Sequence, residues 1–124
     1  MPTSSVLVVE DSEIDQVIAK YMFNKFDENL EVLQAFDGVE ALDILKGTQP
    51  QPIFIFLDIN MPRMNGHDFL KAYESSELNS TSIVMLTSSC QPEEKEKCLA
   101  YNSVKRYLTK PLEIADLEGL FKTS

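Results

Sequence analysis

Cysteine is scarce in this chain: only Cys90 and Cys98 occur, eight residues apart. That spacing is neither a C-x-x-C redox pair nor a zinc pattern, so both read as reduced thiols in a reducing compartment. Long apolar runs are missing too. The longest, Ile53 to Leu57, is five residues, whereas a membrane span needs about 20. The opening residues Met1-Pro2-Thr3-Ser4-Ser5 carry neither a basic stretch nor an apolar segment, so no signal peptide is expected and the chain reads as cytoplasmic. Positive charge is in short supply. Eleven Lys and Arg stand against twenty Asp and Glu, for a formal net charge of -9. Such a balance repels phosphate backbones and anionic lipid and argues against direct binding of nucleic acid or membrane. It suits a protein that concentrates cations.

What is present fits one folded domain over residues 1–124, with 44% hydrophobic residues. No linker, repeat or low-complexity segment interrupts it. Three apolar runs, Val6 to Val9, Ile53 to Leu57 and Ile83 to Leu86, lack polar alternation. Each reads as a strand buried on both faces, as in a parallel sheet covered by helices. Leu30 to Phe36 and Val104 to Leu108 carry polar residues and read as edge strands.

Helical patterns fill the intervals. Ser12 caps a helix whose apolar face is expected to be Ile14, Val17, Ile18, Tyr21 and Met22. Asp37-Gly38-Val39-Glu40 opens a second, which stops near Gly47 and Pro50. A third begins around Asn65-Gly66 and points Phe69, Leu70 and Tyr73 inward, with His67 on its surface. Pro92 starts a fourth, and a fifth follows Pro111 with Ile114, Leu117, Leu120 and Phe121 on one face. The order is β-α five times, which predicts an α/β fold with a parallel sheet between two helical layers.

Ligands of open α/β sheets bind at the carboxyl ends of the strands. Glu10 and Asp11 follow the first strand, Asp58 the third, Thr87 the fourth, and Lys110 with Pro111 the fifth. Singly, each is an ordinary cap or turn residue. Gathered at one edge, three carboxylates repel one another and raise at least one pKa unless a cation compensates. Magnesium, with its preference for oxygen ligands, suits the need and leaves room for a phosphate oxygen. With an ammonium group and a hydroxyl alongside, the set suits phosphoryl transfer, where positioning and charge neutralisation dominate.

The motifs Val8-Val9-Glu10-Asp11-Ser12, Leu57-Asp58-Ile59-Asn60-Met61-Pro62-Arg63-Met64-Asn65-Gly66, Met85-Leu86-Thr87-Ser88 and Tyr107-Leu108-Thr109-Lys110-Pro111 resemble the receiver domains of two-component response regulators. The resemblance runs from Val6 to about Phe121 and implies a (βα)5 flavodoxin-like three-layer sandwich, with strand order 2-1-3-4-5. It implies that Asp58 is the phosphoacceptor, with Asp11 a direct metal ligand and Glu10 acting through water. The Asn60 backbone carbonyl completes the protein ligands, for Mg2+ or another divalent cation such as Mn2+. Lys110 pairs with phosphoryl oxygens, Thr87 bonds one of them after modification, and Tyr107 occupies the switch aromatic position. The implied donor is a histidine kinase or histidine phosphotransfer protein. The implied output face is formed by the fourth helix, fifth strand and fifth helix. The chain is then a phosphoacceptor that assists its own modification and not an enzyme. Asn65 in place of the commoner Asp, and Glu10 in place of Asp, are departures expected to leave the chemistry unchanged.

Two enzyme-like rivals fare poorly. An aspartate-nucleophile phosphatase needs a second Asp two residues on, where this chain has Asn60. A flavin carrier needs a phosphate loop after the first strand, where Glu10 and Asp11 repel phosphate. A receiver acting only as an interaction module is the remaining rival. The partner kinase, the target, the oligomeric state and whether this is a whole protein stay open at the level of sequence.

Overall fold

Apolar residues crowd the strands so densely that both faces of the sheet must be covered. The computed structural model describes residues 4–48, 51–58, 66–76, 81–87, 92–110 and 112–123. Its elements are β1 (Ser5–Val9), α1 (Glu13–Phe26), β2 (Glu31–Ala35), α2 (Gly38–Gly47), β3 (Phe54–Leu57), α3 (Gly66–Glu74), β4 (Ser82–Thr87), α4 (Pro92–Leu99), β5 (Val104–Thr109) and α5 (Ile114–Thr123). The strands form one parallel sheet in the order β2-β1-β3-β4-β5, as the resemblance implied. The two polar strands lie at its edges.

Strand alternation divides the core in two. Leu7, Val9, Ile55, Leu57, Ile83 and Met85 face one flank and pack under α2, α3 and α4. Val6, Val8, Phe54, Phe56, Val84 and Leu86 face the other and pack under α1 and α5. On the first flank Phe69 stacks on Tyr73 at 5.7 Å between centroids, and both are fully buried. The Tyr73 hydroxyl accepts from the Thr81 amide at 2.9 Å, which fastens α3 to the foot of β4. Cys98 is buried in the same cluster and not disulfide-bonded; Cys90 lies outside the described residues.

The caps follow the sequence closely. Ser12 accepts from the Asp15 amide at 3.3 Å, and Asp37 accepts from the Glu40 amide at 2.8 Å. Glu40 in turn accepts from the Phe36 amide at 2.9 Å, a reciprocal closure of the kind a capping box makes.

One expectation fails. The stripe assigned to the inner face of α1 points outward: Ile14 is 72%, Val17 66%, Ile18 45% and Tyr21 62% exposed. The buried face is Gln16, Ala19 and Phe23, with Met22 half-buried. Two interactions hold this rotation. Phe23 meets Phe56 edge-on at 4.9 Å. The Gln16 amide reaches the carbonyls of Ala35 at 2.8 Å and of Val8 and Glu10 at 3.1 Å. Those carbonyls close the carboxyl ends of β1 and β2, so a polar residue, rather than the apolar stripe, is the one the sheet demands there.

Candidate functional site

Glu10 and Asp58 are the residues at which the ladder ends. The Glu10 amide donates to Ala35 and the Asp58 amide to Val9, each at 3.0 Å. The last strand bonds therefore bring two carboxylates from distant parts of the chain together, and both are buried, at 4% and 8% exposure. Asp11 follows at the surface. One carboxylate oxygen from each of Glu10, Asp11 and Asp58 lies within 4.8 Å of the others. Three hard oxygen donors converging from two strand ends fit a divalent cation such as magnesium.

Lys110 closes the opposite side. Its Nζ donates to Glu10 Oε1 and to Asp15 Oδ2 at 2.8 Å, and stands 4.0 Å from Asp58 Oδ2. The Glu10 carboxyl also accepts from the Ser12 amide at 3.1 Å. Burial is the main force on Glu10, raising its pKa from 4.5 to about 7 against the pull of Lys110 and the Ser12 amide. Asp11 and Asp58 push it the same way. A carboxyl so poised favours any added cation. Burial pulls Lys110 down, but its bonds to Asp15 and Glu10 and the charge of Asp58 outweigh that, so its pKa is raised.

These groups open on a cavity of about 320 Å3 between α1 and the sheet. Its walls include Phe56, Leu86, Leu112 and Ile18, with Asp58 and Lys110 at its polar end. An apolar wall beside a charged end lowers the local dielectric and strengthens every charge contact there.

Of the residues singled out by sequence, Glu10, Asp11, Asp58 and Lys110 are brought together. Thr87 ends β4, with its backbone opposite Thr109, but its side chain lies outside the description, as do Asn60 and Pro111. Tyr107 lies on β5, half-buried against the first-flank core and away from the cavity wall. Its placement depends on an irregularity: Ile83 pairs with Val104 but Val84 pairs with Arg106. The extra residue puts Tyr107 opposite Met85, on the same face as Val104. His67 is in the first turn of α3 and half-buried. Sequence reasoning missed Asp15 as a partner of Lys110. The available signal was its place one helical turn after Asp11, on a helix that starts at the strand end.

A five-stranded doubly wound sheet with a triple carboxylate and a lysine at its carboxyl end defines a small α/β domain with a pocket suited to a cation. The model of the response regulator receiver domain matches residues 6–122, and the chain belongs to that family. It is 33% identical over 116 residues to the rice two-component response regulator ORR7, covering 93% of this chain and 53% of that protein. The chain thus spans about half the length of that relative. Among solved structures, chemotaxis protein CheY4 of Vibrio cholerae superimposes with a TM-score of 0.82 at 30% identity, covering 98% of both chains. The receiver domain of sensor histidine kinase PA1611 from Pseudomonas aeruginosa shares the fold, with a TM-score of 0.83 at 22% identity over 98% of this chain and 97% of that one. That structure has a magnesium ion coordinated in its active site cleft. The chain is thus a receiver domain of two-component phosphorelay signalling. Among the described residues no helix is long and apolar enough to cross a membrane.

Proposed function

We propose that Asp58 accepts a phosphoryl group from a phosphohistidine on a partner kinase or phosphotransfer protein. The observation that carries this reading is the convergence of Glu10, Asp11 and Asp58 oxygens within 4.8 Å, faced by Lys110. Glu10, Asp11, Asp58 and the Asn60 carbonyl hold the cation. When bound, Mg2+ (or Mn2+) neutralises phosphoryl oxygens and the charge that develops on them. PA1611 supports this choice through its own magnesium.

The chain's own groups do the rest. An Asp58 carboxylate oxygen forms a bond to phosphorus as the phosphorus–nitrogen bond of the donor breaks, and the imidazole leaves with the bonding pair. Lys110, already 4.0 Å from Asp58, moves from carboxylate to phosphoryl oxygen with little reorganisation. Water later attacks phosphorus, releases inorganic phosphate and restores the Asp58 carboxylate. The domain thus assists its own modification without turning over another substrate.

Thr87 donates to the new phosphoryl oxygen, and Tyr107 repacks against the first-flank core. The face of α4, β5 and α5 then presents a changed surface to a protein target. The exposed stripe of α1 beside the cavity fits a helical donor reaching Asp58. The reading places a single domain over residues 1–124, working in the cytoplasm.

Incubation with magnesium and acetyl phosphate, followed by intact mass, tests the proposal. One phosphoryl adduct is expected, absent in Asp58→Asn and absent with EDTA. An equal adduct in Asp58→Asn would sink it.

A further inference from the structure

A second cleft lies between α3 and α4, remote from the carboxylates. It has a volume of about 510 Å3 and is lined by His67, Lys71, Lys97, Ala100 and Tyr101. In a chain of twenty acids and eleven bases, the described residues that line it include no carboxylate. Among those described residues the charge is opposite in sign to that of the chain as a whole.

The arrangement follows from helix geometry. His67 and Lys71 are four residues apart on α3 and share a face. Lys97 comes from the last turn of α4, where it offsets the negative end of that helix. Tyr101 follows and keeps its ring against the first-flank core. Of the two acids on α3, Asp68 is exposed and is not among the described residues lining the cleft, and Glu74 is engaged by the Ser103 amide at 3.1 Å and by the Ser103 hydroxyl. Elsewhere Lys110 has three acid partners and Lys105 donates to the Asn102 carbonyl. Lys71 and Lys97 make no ion pair and no side-chain hydrogen bond among the described residues. Two ammonium groups on separate helices thus face one cleft without a counterion among the described residues, and an oxyanion between them relieves their repulsion.

We propose that the α3–α4 cleft binds a small multivalent phosphate, such as a diphosphate group, bridged by Lys71 and Lys97. The volume lies within the range of small-ligand sites. The Tyr101 hydroxyl adds a donor at the rim, and the Tyr101 ring offers an apolar surface to whatever carries the phosphate. The site joins the helix that follows the Asp58 segment to the helix that follows β4, so an occupant fixes their separation. It uses none of the residues assigned to phosphoryl transfer and stands independently of that reading.

The test is a 15N NMR titration of the full chain with sodium pyrophosphate, in EDTA and at ionic strength held constant with chloride. Saturable shifts are expected at His67, Lys71, Lys97, Ala100 and Tyr101. The Lys71→Ala/Lys97→Ala double variant is expected to weaken binding roughly tenfold or more. Both lysines are exposed, so its unfolding midpoint should match the parent and loss of binding will not reflect loss of fold. Shifts that drift without saturating and are reproduced by chloride would overturn the proposal. So would undiminished affinity in the double variant, shifts confined to the surroundings of Glu10 and Lys110, or an acidic peptide that displaces pyrophosphate at equal charge concentration.

Discussion

α1 and α3 carry similar apolar spacing and use it in opposite ways. On α3, Phe69, Leu70 and Tyr73 are fully buried. On α1, Ile14, Val17, Ile18 and Tyr21 face solvent while Gln16, Ala19 and Phe23 take the core. The two helices cover opposite faces of the same sheet, but both faces are apolar, so the layer alone does not explain the difference. It lies in what each helix meets. α3 lies over a purely apolar part of the first flank. The start of α1 lies over the carboxyl ends of β1 and β2, where the Gln16 amide donates to the carbonyls of Val8, Glu10 and Ala35. Periodicity identifies an apolar face; the partner decides whether that face is core or surface. Under the proposed function, the apolar stripe left outside, beside the cavity that holds Asp58, serves recognition of the donor.

Substitutions on the two helices should therefore separate sharply. Phe69→Ala removes a fully buried ring and is expected to cost about 3–5 kcal/mol in denaturant unfolding. A loss near that expected for a surface site would remove one side of the contrast. Gln16→Ala leaves the carbonyls of Val8, Glu10 and Ala35 without their side-chain donor, at an expected cost of about 1–3 kcal/mol. If that variant is as stable as the parent, Gln16 does not set the rotation of α1.

The opposite behaviour is expected on the exposed stripe. Val17→Ser and Ile18→Ser together should leave stability within about 1 kcal/mol. The same pair should slow phosphoryl transfer from a cognate donor about tenfold or more, roughly 1.4 kcal/mol of lost docking, while labelling by acetyl phosphate stays unchanged. Slowing of both reactions equally would place the stripe in folding or chemistry instead.

The smallest effect concerns pH. The folded Glu10 holds its proton to about pH 7, against an ordinary value of 4.5. Between those values the folded state binds more protons than the unfolded one, so metal-free stability falls as pH rises through the window. Magnesium should reverse the trend by favouring the ionised carboxyl. Thermal scans from pH 5 to 8 with and without magnesium check this, and a cation effect that does not grow with pH would argue against Glu10 as part of the cation site.

Much of this was legible in the sequence. The apolar runs gave the strands, the caps Ser12 and Asp37 gave helix starts, and the strand-end positions picked out Glu10, Asp11, Asp58 and Lys110. Repulsion among the three carboxylates implied one raised pKa; the structure puts it on Glu10, with burial the larger cause. Three features were not legible, because each depends on contacts between segments. Gln16, a polar residue outside the apolar stripe, gave no sign of burial until the carbonyls it serves were in place. Asp15 carried no visible role until Lys110 arrived from 95 residues away. The face of Tyr107 depends on an added residue in β5, which alternation counting within the strand does not reveal.

The central claim is that the carboxylate gathered with Glu10 and Asp11 is the one that takes the phosphoryl group. The direct measurement is borohydride reduction of the magnesium- and acetyl phosphate-treated protein, followed by peptide mass mapping. The account predicts reduction of the Asp58 side chain to the alcohol, dependent on magnesium and much diminished in Glu10→Gln and Asp11→Asn. Reduction at any other carboxylate, or at Asp58 equally with and without a divalent cation, would contradict it.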